Sequence, residues 1–312
     1  MKVLITDNCH EDLVIGLSSH GNEVDYLPHL SLNEIDAIIE AYDGIIINTR
    51  VKMDKARIDL GHCLSFIGRM GSGLDIIDLP YAALKGIKVI SSPEGNAQAV
   101  AEHSLAMLLT LLNKLPLGAS QVKNFEWDRE GARGRELSGK TIGIIGYGHT
   151  GPALAQVLSG FRVNIKVYDK YKEISDSVNC AATIVQSTFE DIIAHCDVIS
   201  FNIPLTDETA LLIDESLLRR IKPGAILINA SRGGIIKLDD VWNAIEDGRL
   251  GGCCLDVFPN EKPQTYNSKE AEVINKMAEH PAVILTPHVA GWTIESKQKI
   301  AQILVDKIVS NI

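Results

Sequence analysis

The chain has 312 residues, 46% of them hydrophobic and 22% charged, enough for about two domains and far from the composition of chains that stay disordered. With 40 acidic and 30 basic side chains the net charge is −10, so nothing global draws the chain to nucleic acid or to an anionic bilayer, and any anion has to be gathered by a local cluster. The longest apolar run, 105–112, is far below the ~18–20 residues of a membrane span, and the first residues lead straight into a short apolar run without a signal-type core; a soluble, cytoplasmic chain with no membrane partner is expected.

In chain order, strands are predicted at 2–6, 44–48, 65–70 and 88–90, a long apolar helix over 97–112, and further strands at 141–145, 164–168, 198–201, 225–229, 252–255 and 283–286. These are short, continuous apolar runs rich in β-branched residues, separated by helix-like stretches. Such runs suit parallel sheets covered by helices on both faces, so the fold class is α/β. The 97–112 segment is too hydrophobic for a surface helix and reads as a buried connection between two lobes. The 295–312 segment is amphipathic, with Ile300, Leu304 and Ile308 on one face; periodicity alone leaves open whether it caps the second lobe or returns to the first. Six cysteines (Cys9, Cys63, Cys180, Cys196, Cys253, Cys254) show neither a C-x-x-C pair nor a regular framework, and free thiols without a metal centre are expected.

The strongest local signal is Thr141-Ile-Gly-Ile-Ile-Gly146-Tyr-Gly148-His-Thr-Gly151, a strand running through G-x-G-x-x-G into a helix. Gly146 permits the tight turn, Gly148 lets the backbone approach a pyrophosphate, and Gly151 lets helix and strand pack closely. The next predicted strand ends at Asp169, 18 residues after Gly151, where a carboxylate accepts bonds from ribose hydroxyls and repels a 2′-phosphate. NAD is therefore the expected cofactor, a preference that Lys170 and Lys172 soften.

A second constellation lies in the C-terminal half: Asn229-Ala-Ser-Arg232-Gly-Gly, Leu255-Asp256-Val-Phe-Pro-Asn-Glu261 and Leu285-Thr-Pro-His288-Val-Ala-Gly. Each charged residue sits at or just past the carboxyl end of a predicted strand, where open parallel sheets bind ligands. A histidine with a carboxylate partner is a general acid/base, and an arginine binds a carboxylate bidentately while polarising a neighbouring carbonyl. Taken singly, Arg232 reads as a surface ion pair, Glu261 as a solvated loop acid and His288 as a satisfied loop histidine. Their convergence on the edge that holds the dinucleotide favours chemistry.

On these residues the chain resembles the D-isomer-specific 2-hydroxyacid dehydrogenases. The resemblance spans nearly the whole chain and includes Gly68-Arg-Met-Gly-Ser-Gly-Leu-Asp75, Ser92-Pro-Glu-Gly-Asn96, Val100-Ala-Glu102, the glycine loop, Asn202-Ile-Pro204-Leu-Thr and the three charged motifs. It implies two Rossmann-like, doubly wound parallel-sheet domains: a discontinuous substrate lobe (1–97 with 291–312) and an NAD lobe (98–290), closing about hinges near 97–100 and 290–293. It implies a catalytic triad of Arg232, Glu261 and His288. Substrate contacts would come from the amides of Ser72 and Gly73, with Arg69, Asn96 and Arg232. Cofactor contacts would come from Gly146, Gly148, His149, Thr150, Gly151, Asp169, Asn202, Pro204, Thr209, Ala230, Ser231, Asp256, His288 and Gly291. A homodimer joined through the NAD lobes is implied as well.

Within the family the phosphoglycerate dehydrogenases look similar at Gly68-Arg69, where a guanidinium flanks the glycine turn and could bind a phosphate. Their other usual phosphate-binding arginine, at the end of the second predicted strand, is Asn48 here, with Arg50 and Lys52 close behind. The expected substrate pair is 3-phosphoglycerate and phosphohydroxypyruvate, as in serine biosynthesis, with glyoxylate/hydroxypyruvate reductase as the alternative. Many phosphoglycerate dehydrogenases carry a C-terminal regulatory domain, and a chain ending with its amphipathic helix is not expected to be controlled through one. A rival of another class is an NAD-sensing corepressor-like binding protein, which would keep the same triad.

Overall fold

The computed structural model describes residues 1–174 and 183–312; Cys180 lies outside them. The chain divides into two compact units, Met1–Gln98 with Trp292–Ile312, and Ala99–Gly291.

The first unit is built on β1 (Lys2–Ile5), β2 (Glu23–Tyr26), β3 (Gly44–Ile47), β4 (Phe66–Arg69) and β5 (Lys88–Ser91), all parallel in the order β2-β1-β3-β4-β5. Side chains alternate across a strand, and this decides which core each residue joins. Val3 and Ile5 of β1, with Ile46 of β3, enter a cluster on one face; Leu4, Ile45 and Ile47 enter another on the opposite face. The first of these clusters is completed by the C-terminal helix Ile294–Asn311, through Ala301, Leu304, Val305 and Ile308. That helix opens on a capping box of Thr293 and Ser296.

The second unit carries β6 (Thr141–Ile145), β7 (Asn164–Tyr168), β8 (Ile184–Gln186), β9 (Val198–Phe201), β10 (Ala225–Asn229), β11 (Leu250–Leu255) and β12 (Val283–Leu285). They form one parallel sheet in the order β12-β11-β10-β9-β6-β7-β8. Two clusters cover its faces, and the adjacent Cys253 and Cys254 fall one into each, as alternation along β11 requires. The helix Glu94–Leu112 begins three residues before the predicted segment and gives Ala101, Met107, Leu108 and Leu111 to one of these clusters.

Two strands escaped the sequence reading, β2 and β8, and both are sheet edges with no fully buried residue. An edge strand needs no continuous apolar run, the pattern by which the other strands are recognised. Among the described residues no single helix is long and apolar enough to cross a membrane. Nor do they gather three or more His, Cys, Asp or Glu side chains in a metal-binding group.

Candidate active site

In the second unit the strand order reverses direction at β6, between β7 and β9, and ligands of open α/β sheets bind outside the carboxyl ends at such a point. The glycine loop leaves β6 there. Gly146 has φ +91°, and a Cβ on it would run into the carbonyl of Asn202, so the turn is closed to other residues. Gly148 is the opposite case: a Cβ there would meet nothing within 4 Å, so the absent side chain leaves open space against the backbone. The helix Thr150–Leu158 starts immediately after, with His149 at its N-cap, and its first-turn N–H groups have no partner within the helix.

Asp169, just past β7, accepts from the Tyr147 amide at 2.7 Å and the Tyr171 amide at 2.9 Å, one on each oxygen. Each oxygen keeps a lone pair for a ribose hydroxyl. Lys170 is drawn to Glu208 at 2.5 Å. On the other side of β6, the Asn202 side chain donates to Ser200 Oγ at 3.1 Å, and Thr209 Oγ1 donates to the Pro204 carbonyl at 2.7 Å, so the loop after β9 is held in a compact turn. Glycine loop, acid and turn together fit a dinucleotide.

The three charged motifs leave adjacent strands in register, with Asn229 beside Leu255 and Leu255 beside Leu285. Asn229 is buried and shapes the Ala230–Arg232 turn: its Oδ1 accepts from the Ser231 amide at 3.0 Å, and its Nδ2 donates to the Arg232 carbonyl at 2.9 Å. Glu261 Oε2 lies 2.8 Å from His288 Nδ1, so the carboxylate takes up one of the two ring nitrogens. Partial burial pushes the Glu261 carboxyl up, but the hydrogen bond and charge of His288, the Phe258 amide and the charge of Arg232 together hold it below the usual glutamate value. Arg232, Glu261 and His288 therefore share one electrostatic neighbourhood.

Asp256 is fully buried, and both its oxygens are engaged inside the protein, by Thr286 Oγ1 at 2.6 Å, the Val289 amide at 3.0 Å and the Ala290 amide at 2.8 Å. Here it fixes the loop that carries His288 and ends at Gly291. His103, on the Glu94–Leu112 helix, reaches the same knot through Thr286. Sequence reading missed both His103 and Thr286, because no local spacing links residues 183 apart.

The remaining sequence-predicted residues lie in the first unit. Ser72 and Gly73 follow β4, and among the described residues neither amide donates to a protein group, although Gly73 is buried. Arg69, at the end of β4, donates to Asn48 Oδ1 at 3.1 Å and to the Met70 carbonyl. Asn96 sits in the first turn of the Glu94–Leu112 helix. Arg50 donates to the carbonyls of Leu30 and Thr6 and lies 3.5 Å from Asp7.

Residues 105–290 match the family model described as D-isomer specific 2-hydroxyacid dehydrogenase, NAD binding domain. The chain belongs to this family. The seven-stranded sheet is the family's NAD-binding domain, and NAD is its cofactor. The D-3-phosphoglycerate dehydrogenase of Synechocystis is 35% identical over 309 residues, 98% of this chain and 53% of that protein. The chain thus spans about half the length of the phosphoglycerate dehydrogenases it matches. The hydroxypyruvate reductase of Thermotoga maritima is 30% identical over 280 residues, 90% of this chain and 88% of that protein. Among solved structures, the D-lactate dehydrogenase of Aquifex aeolicus complexed with NAD and lactic acid has a TM-score of 0.84 at 26% identity, covering 99% of this chain and 95% of that one.

Proposed function

We propose that the chain is an NAD-dependent dehydrogenase of small D-2-hydroxy acids, with 3-phosphoglycerate and phosphohydroxypyruvate as its substrate pair. The observation that carries the reaction class is the His288–Glu261 pair at 2.8 Å, at the same sheet edge as the glycine loop and Asp169. NAD, when bound, supplies the hydride acceptor and, reduced, the donor. The chain's own groups handle charge and protons. His288 Nε2 takes the C2 hydroxyl proton in oxidation and returns it in reduction, while Glu261 holds the ring by Nδ1. Arg232 pairs with the substrate carboxylate and steadies the negative charge that develops on the C2 oxygen. The amides of Ser72 and Gly73 are assigned to substrate binding.

The phosphate assignment is supported by the phosphoglycerate dehydrogenases that align with 96–99% of this chain at 30–35% identity, and by the Gly68-Arg69 step. One observation favours hydroxypyruvate or glyoxylate instead: Asn48 stands where a second phosphate arginine would, and Arg50 is committed to backbone carbonyls and Asp7. NADH oxidation by the purified protein, with phosphohydroxypyruvate, hydroxypyruvate, glyoxylate and pyruvate compared, decides between them. The expected result is preference for the phosphorylated acid, and a KM for it that rises far more in Arg69→Ala than the KM for hydroxypyruvate. Equal effects on both, or a wild-type preference for the unphosphorylated acid, move the assignment to the reductase branch. No turnover of any 2-keto acid leaves an NAD-sensing binding role. A homodimer joined through the NAD-binding domains belongs to the same proposal, with sedimentation as its check.

A further inference from the structure

We propose that His103 and Thr286 form a hydrogen-bond relay into Asp256 that sets the loop carrying His288, making His103 a positioning residue for proton transfer. Thr286 Oγ1 lies 2.6 Å from Asp256 Oδ1 and 3.0 Å from His103 Nε2. A hydroxyl has one proton to give, and the shorter contact to the charged acceptor takes it. Met107 Sδ, at 3.5 Å, is the weaker acceptor. Thr286 must therefore accept from His103, so the relay runs His103 Nε2–H to Thr286 Oγ1–H to Asp256 Oδ1, and it requires the proton on Nε2 of His103.

The receiving end is buried: the Asp256 side chain is 1% exposed, against 25% for His103. From there Asp256 distributes the constraint. Its oxygens take the amides of Val289 and Ala290 at 3.0 and 2.8 Å, and its backbone carbonyl takes the His288 amide at 2.7 Å. Between these anchors His288 has φ +54°, a left-handed conformation that residues other than glycine hold only when their surroundings over-determine it. Without the Thr286 hydroxyl, one Asp256 oxygen loses a partner inside a buried site and the loop loses part of that determination. With it, the His288 ring meets Glu261 in a fixed orientation.

The inference rests on reading His288 as the acid/base, and the test separates the two. Thr286→Val keeps the shape and removes the hydroxyl, whereas Thr286→Ser keeps the hydroxyl. Similarly, His103→Leu removes the donor, whereas His103→Gln places an amide N–H near the Nε2 position. The expected result is a kcat loss of about 10- to 100-fold in Thr286→Val and His103→Leu, with the dinucleotide Kd unchanged and activity largely restored in the Ser and Gln variants. Histidine 15N spectra of the wild-type protein should show His103 protonated at Nε2. Wild-type kcat in Thr286→Val or His103→Leu, no rescue by Ser or Gln, or an unprotonated Nε2 overturns the relay. A wild-type protein that turns over no 2-keto acid removes the acid/base reading instead, and the 15N spectrum then decides the relay by itself.

Discussion

His288 and Glu261 carry the sharpest expectations, because their 2.8 Å contact assigns one ring nitrogen to the carboxylate and leaves the other for substrate. In His288→Gln turnover should fall about 10²- to 10⁴-fold, the usual worth of a general acid/base, while NAD binding, followed by fluorescence quenching, stays nearly intact. Undiminished turnover would remove His288 from the reaction. Glu261 makes a second, pH-dependent prediction. Its folded pKa lies below the usual glutamate value, because the hydrogen bond and charges around it outweigh its burial. A depressed carboxyl contributes stability that is fully present above the unfolded pKa and lost as pH falls through the folded one. Urea midpoints of wild type and Glu261→Gln should therefore differ at neutral pH and converge toward acid. A gap that widens toward acid would mean that the carboxylate is not held by its partners.

A strand, a loop and the start of a helix make up the dinucleotide element, and its glycines are there for different reasons that substitution can separate. Gly146→Ala puts a Cβ against the Asn202 carbonyl at φ +91°, so the loop itself is strained and stability should drop by about 1–3 kcal/mol. Gly148→Ala puts its Cβ into open space, so thermal unfolding of the free protein should be unchanged while NAD affinity falls. Wild-type NAD affinity in Gly148→Ala would place the pyrophosphate elsewhere. This element was legible in sequence because strand, glycines and acid lie within one short span, and Asn229, Arg232, Glu261 and His288 were legible because each ends or follows a strongly apolar strand. The edge strands β2 and β8 were not, since an edge needs no buried run. The tie between His103 and Thr286 was not either, because the helix meets the loop after β12 there through a side-chain contact with no local period.

At the scale of the whole chain, the two units have separate cores, and every proposed NAD contact except Gly291 falls within the family's NAD-binding segment, 105–290. The first unit is discontinuous: the chain leaves it after Gln98 and returns at Trp292, and its closing helix buries Leu304 and Ile308 beneath β-strands laid down at the start of the sequence. A ligand that binds only the folded state stabilises whatever it touches by RT ln(1 + [L]/Kd), about 2.7 kcal/mol at a hundredfold excess over Kd. That increment should enter the second unit. Scanning calorimetry is expected to resolve two components, of which NAD raises one and leaves the other in place, and NADPH at the same concentration raises it less because Asp169 opposes a 2′-phosphate. A mutation confined to the first unit's core, Leu304→Ala, should lower the component that NAD leaves alone, by an amount equivalent to about 2–5 kcal/mol. A single transition that moves as one under both NAD and Leu304→Ala would show that the units unfold as one cooperative body, and an equal shift with NADPH would remove the role given to Asp169.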